Sequence, residues 1–299
     1  MNFIELADLA AERVGGRALE ANDEFFASKR NLVKPGRGIF IADKYTSRGK
    51  WMDGWETRRR RVPGHDWCVL KLGMRGIIRG VDIDTNHFVG NYPQQASLDA
   101  RDGKGPWSEL LPPTALQGTS QNLFELKASA PSTHVRLNIF PDGGVARLRV
   151  YGEVVPVWDG GMADLASIKN GGLVVATSDQ FFGHRNNIIM PGRSKNMGDG
   201  WETKRRRGPG HDWLILKLGR PGALEKIEID TNHFKGNYPD RCSLEGGDGE
   251  NWEEILPPTK LQPHKRHFLS VRSKAVSHVR FNIYPDGGVS RLRLYGRPS

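Results

Sequence analysis

The chain has 299 residues, of which 37% are hydrophobic and 26% charged, and a formal net charge of +10. That balance fits a folded protein and excludes a disordered polyelectrolyte, and no apolar run approaches the ~20 residues a membrane-spanning helix needs. The positive excess suits a solvated surface, a nucleic-acid partner or a small anionic substrate, and charge alone does not choose among them.

The N-terminal stretch MNFIELADLAAERVGG carries Glu5, Asp8 and Glu12 and lacks a basic start or a small-residue cleavage site. It reads as a short amphipathic N-terminal helix rather than a secretory leader. The two cysteines, Cys68 and Cys242, fall at non-equivalent places in the repeat described next. A duplicated disulfide is therefore not expected, and a reducing, cytoplasmic setting is.

An internal duplication organises the chain. Residues 53–98 and 199–244, aligned without gaps, agree at 30 of 46 positions. DGWETRRRRVPGHDW returns as DGWETKRRRGPGHDW, and IDTNHF and GNYP recur in step. Downstream, HVRLNIFPDGGVARLRVYG (134–152) returns at 278–296; upstream, DEFFASKRNLVKPG (23–36) matches DQFFGHRNNIIMPG (179–192). The expected division is a first repeat over 1–152, a linker over 153–172 and a second repeat over 173–299. The first copy carries about ten extra residues near GIFIADKYTS, before Trp51.

Within one copy, DWCVLKL (66–72) is a short β run. Alternation over 81–87 puts Val81, Ile83 and Thr85 on one face and Asp82, Asp84 and Asn86 on the other. Over 134–140 Val135, Leu137 and Ile139 point inward, and after the PDGG turn Leu148 and Val150 do so while Arg147, Arg149 and Tyr151 point out. Many short strands between turns predict an all-β chain: two tandem antiparallel sandwiches or jelly rolls.

Three polar clusters recur in both copies. In Gly54-Trp55-Glu56-Thr57-Arg58-Arg59-Arg60-Arg61, an extended backbone puts Glu56, Arg58 and Arg60 on one face. Arginine forks suit a carboxylate ligand; a solvated charged strand is the competing reading. In Gly64-His65-Asp66-Trp67 the histidine is a proton-shuttle candidate, or His and Asp close a turn. In Asp84-Thr85-Asn86-His87-Phe88, followed by Gly90-Asn91-Tyr92-Pro93, the groups Asp84, His87 and Asn91 sit at a strand end, where sites concentrate. They also fit a loop whose Asn and Gly serve backbone shape. The second-copy equivalents are Glu202, His211, Asp230, His233 and Asn237.

His65, Asp66, Asp84 and His87 are metal-ligand types, so a divalent ion such as Mn or Mg is compatible with the sequence. No metal-ligand spacing signals one. No phosphate-binding loop, dinucleotide fingerprint or serine-nucleophile elbow is present.

DGWETRRRR with GHDW, then IDTNHF-x-GNYP, then PDGG-x-x-RLR-x-YG resembles the allantoicase family across almost the whole chain, both repeats included. The resemblance implies a pair of galactose-binding-like jelly rolls and a hydrolase acting on carbon–nitrogen bonds of linear amidines. It implies conversion of allantoate to ureidoglycolate and urea in allantoin and purine breakdown, by a homo-oligomer. It does not supply a residue list. Reasoning from the substrate, acid–base candidates are Glu56, His65, Asp84 and His87; carboxylate and amide contacts are Arg58, Arg60, Asn91, Arg147 and Arg149.

Arg58 aligns with Lys204, and the insertion is unique to the first copy, so two pockets would be unequal. A non-catalytic sugar- or peptide-binding pair of jelly rolls is the main alternative. A nucleic-acid binder fits less well, because the arginines sit beside acidic residues in strand-like segments. The number of active sites and any action on ureidoglycolate stay open.

Overall fold

The computed structural model describes residues 2–299. Strands dominate, and every helical piece among the described residues is a 3-10 turn of three to five residues. The chain divides into two compact units, the first ending at Val155 and the second spanning Pro156–Ser299.

In the first unit one long strand, Asp66–Asp84, pairs with four others in an eight-stranded sheet. Its opening half pairs with Ser132–Phe140 and Arg17–Ala21; its closing half pairs with Arg147–Val154 and Gln121–Glu125. The sequence shows two β runs because the alternation breaks at the middle, where Gly73 and Gly76 lie. A side chain at Gly73 would put its Cβ 2.6 Å from the backbone of Gly16, so that segment can approach the strand there only without one. Side chains from both halves meet inside. Leu70, Val81 and Ile83 are fully buried against Leu137, Ile139, Leu148 and Val150, the residues that alternation had turned inward.

The second unit repeats this plan on Asp212–Asp230, paired with Ala275–Tyr284, Leu173–Thr177, Arg291–Pro298 and Arg266–Ser270. Trp55 and Trp201 anchor their units alike. Each ring is buried, and each indole N–H donates to a backbone carbonyl, Asp23 at 2.7 Å and Asp179 at 2.9 Å.

Two expectations need correction. The N-terminal stretch is not a helix: 3-10 turns Phe3–Glu5 and Glu12–Val14 flank a strand, Ala7–Asp8, that pairs with Tyr151–Gly152. Leu9 and Ala10 are wholly buried, and the Leu9 N–H donates to Val150 at 2.7 Å. A segment this short gains little as a lone helix and more as a sheet edge. The stretch 153–172 is not all linker. Glu153 and Val154 finish a strand of the first unit, while Ala163–Asp164 pairs with Tyr295–Gly296 and Ile168–Asn170 forms a 3-10 turn.

The inserted residues of the first unit form a surface loop with a small hairpin, Tyr45–Thr46 against Gly49–Lys50. Ile39, Phe40, Ile41 and Tyr45 stand exposed on it. Cys68 and Cys242 are free thiols with no accessible surface, one in each unit. Burial pushes both thiols up, Cys242 to about 12.

Candidate active site

Asp82 and Asp84 alternate with Val81 and Ile83, so their side chains leave the core. They do not reach open solvent: each is only 2% exposed. Neighbouring strands explain this. Arg149 lies opposite Asp82, and Asp84 lies between Arg147 on one side and Gln121 on the other. The segment Pro35–Arg37 joins the same cleft, of about 320 Å³, whose lining includes Asp8, Arg37, Asp82, Asp84, Gln121, Arg149 and Tyr151.

Inside the cleft the two aspartates are treated differently. Arg37 donates to both oxygens of Asp84, from Nε at 2.9 Å and Nη2 at 2.8 Å. Asp82 has no such clasp. Gln121 Nε2 donates to its Oδ2 at 2.7 Å, while its buried Oδ1 has no hydrogen-bond partner. Burial, helped by the nearby charge of Asp84 and opposed by Gln121 and the arginines, pushes the Asp82 carboxyl up to about 6. Burial likewise raises Asp8 against the pull of Arg149 and lifts the Tyr151 phenol to about 12. Arg149 is held by carbonyls of Lys34 and Gly36 and lies 3.7 Å from Asp8. The cleft thus combines a fixed guanidinium, an amide and a carboxyl that changes charge near neutral pH.

The residues singled out from sequence do not gather in one place. Asp84 and Arg149 belong to the cleft. Glu56 pairs with Asn91 instead, whose amide donates to Oε1 at 2.7 Å, and Asn237 meets Glu202 the same way. Burial raises both glutamates, against the hydrogen bond from the asparagine amide that lowers them. His65 packs on Phe140 with ring centres 4.8 Å apart, next to an Arg60–Asp66 ion pair at 2.8 Å. His211 contacts Asn282 at 3.2 Å.

Arg58 lies on the surface against Asp23 at 2.6 Å. Arg147 is 2% exposed and tied to Asp53 at 2.7 Å, so its expected outward orientation is corrected. Asp53 is lowered despite its burial, because Arg147 hydrogen-bonds it. His87 and His233 both adopt left-handed backbone, φ 68° and 70°, in the loop after the aspartates. His87 stacks near Phe40, and His233 Nε2 meets the Ser194 carbonyl at 3.1 Å. Asp230 takes the Arg193 fork as Asp84 takes Arg37.

Among the described residues no group of three or more His, Cys, Asp and Glu is placed to hold a metal ion. Of the four ligand types noted in the sequence, the two carboxylates are already paired: Asp66 with Arg60 and Asn22, Asp84 with Arg37. These four residues do not come together around a shared ion. No helix among the described residues is long and apolar enough to cross a membrane.

Comparison with known proteins agrees with the duplicated architecture. The sequence model of the allantoicase repeat matches residues 7–155 and again 163–299. The chain is 50% identical over 320 residues to probable allantoicase 1 of Burkholderia mallei, covering 98% of this chain and 94% of that one. It is 48% identical over 320 residues to the allantoicase of Dictyostelium discoideum, covering 97% and 86%. The crystal structure of allantoicase from Saccharomyces cerevisiae superposes with a TM-score of 0.87 at 39% identity, covering 97% of this chain and 92% of that one. With both halves matched and the fold shared along nearly the whole length, this chain is a member of the allantoicase family.

Proposed function

We propose that this chain hydrolyses allantoate to ureidoglycolate and urea, and that the reaction takes place in the Asp82 cleft of the first unit. One observation carries the assignment: Asp82 is buried beside a guanidinium, with one carboxyl oxygen unpartnered and the other held by an amide. Allantoate carries a carboxylate and two ureido groups on one carbon. Breaking a carbon–nitrogen bond there requires a proton on the departing nitrogen, because a urea anion is a poor leaving group.

In this reading Arg37, fixed by Asp84 and 47% exposed along its side chain, offers its remaining donors to the substrate carboxylate. Gln121 and Tyr151 supply hydrogen bonds to the ureido arms. Asp82, protonated, gives its proton to the leaving ureido nitrogen as the carbon–nitrogen bond breaks. The lone pair of the remaining ureido nitrogen forms the carbon–nitrogen double bond of an acyliminium ion. Water adds to that carbon and returns a proton to the Asp82 carboxylate, which restores the starting acid. Urea and ureidoglycolate result, with no net proton consumed at the enzyme.

A second reading rests on the Glu56–Asn91 contact, which recurs as Glu202–Asn237. Here the glutamate would be the proton donor and the amide the substrate contact, once per unit. Urea release separates the two. Asp82→Asn is expected to lower kcat/KM by roughly 10²–10⁴-fold, with Glu56→Gln within tenfold of the parent. The reverse pattern would move the chemistry to Glu56. We also propose that the chain works as a cytoplasmic homo-oligomer in purine breakdown; two unpaired, buried thiols support the reducing compartment.

A further inference from the structure

The second unit carries most of the same side-chain pairs. Asp230 is clasped by Arg193 as Asp84 is by Arg37. Arg293 lies 3.6 Å from Asp164, as Arg149 lies 3.7 Å from Asp8. Among its charged and amide side chains two positions differ, and they touch each other. Asp82 is replaced by Glu228, since both stand opposite the matching arginine, Arg149 or Arg293. Gln121 is replaced by Arg266, since both stand opposite the matching aspartate, Asp84 or Asp230.

The exchange changes the chemistry. Arg266 donates from Nε and lies within ion-pair distance through Nη2, both at 2.7 Å from Glu228 Oε1. The Tyr295 hydroxyl reaches the other oxygen at 3.4 Å. The carboxylate that would act as the acid is thus fixed in an ion pair with a permanently charged partner. Arginine also has no acceptor atom to offer a ureido N–H, whereas the Gln121 carboxamide has one.

We infer that the second unit is a catalytically silent copy, and that the Gln121/Arg266 exchange makes it so. The inference rests on the Asp82 reading above. Each chain then has one working cleft, in the first unit, and the second unit serves the protein without turning over substrate.

Urea release by three full-length variants tests this. Asp82→Asn is expected to abolish turnover to below 1% of the parent, and Glu228→Gln to leave it within twofold. Gln121→Arg, which installs the second unit's ion pair in the first, is expected to lower kcat/KM at least 100-fold while circular dichroism stays native. About half the parent turnover in Asp82→Asn, or a large loss in Glu228→Gln, would overturn the inference by showing a second working cleft. Undiminished turnover in Asp82→Asn would instead overturn the reading it rests on. Should Gln121→Arg fail to fold, the other two variants decide the question.

Discussion

Arg37 and Asp84 are 47 residues apart in sequence, yet the guanidinium meets both carboxylate oxygens, at 2.9 and 2.8 Å. The carboxylate is 2% exposed, and the arginine is not. This orients a cation at the rim of the cleft while consuming only part of its donor set.

Replacing Arg37 should therefore act twice. Arg37→Ala leaves Asp84 buried without its charge partner, at a cost of about 1–3 kcal/mol, below the value for a fully buried pair because the arginine is half in water. Arg37→Lys keeps the charge and loses the fork, so KM for allantoate should rise about tenfold. Denaturant melts and Michaelis kinetics measure the two effects; unchanged KM in both variants would remove Arg37 from substrate binding.

The pH profile should report Asp82. The acid form is the working form, and it is lost as pH rises through about 6. The expected kcat/KM is level below that point and falls with increasing pH above it, tenfold per unit. The descending limb should vanish in whatever residual activity Asp82→Asn retains. A wild-type profile that climbs through pH 6 would contradict the acid assignment.

The same shift predicts a stability effect of defined sign. The folded Asp82 carboxyl holds its proton more tightly than an unfolded one, whose ordinary value is 3.8. Its contribution to stability is therefore lost as pH rises from about 4 to about 6. Asp82→Asn cannot ionise and should be more stable than the parent at pH 8, by about 1–3 kcal/mol. Below pH 4 the two should converge. Thermal melts across this range test it; a constant difference at all pH values would refute it.

Arg147 should prove structural. It is buried against Asp53 and gives further hydrogen bonds to backbone carbonyls of Asp53 and Ala146. Arg147→Ala is expected to cost about 3–5 kcal/mol, because a buried carboxylate is left unpaired. Protein that still folds at low temperature should keep the parent KM, contrary to the substrate-contact role that its place in the RLR motif suggests.

The strands were legible because their apolar periodicity is strict; the cleft was legible only in part. Asp82 looked like the solvent side of an alternating strand, and alternation cannot show that arginines from neighbouring strands will cover that side. Two further signals lay in the sequence. PGR at 35–37 returns as PGR at 191–193, one residue past where the upstream match seemed to end, and it brings in Arg37 and Arg193. ADLA at 7–10 returns as ADLA at 163–166, in stretches that read as helix and linker, and it marks Asp8 and Asp164 as an equivalent pair. Gln121 had no signal of its own. Its importance lies in the strand pairing that sets it opposite Asp84, and register between distant strands is not written in local pattern.

The placement of the two thiols gives the protein an internal pair of reporters. Cys68 sits in the long strand of the first unit and Cys242 in a core strand of the second, neither with accessible surface and both with raised pKa. A thiol reagent can reach either one only when its own unit opens, and only an ionised thiol reacts. Labelling rates followed separately at the two cysteines should therefore read the opening of each unit, without any engineered cysteine. They would show whether the duplicated halves come apart together or one at a time.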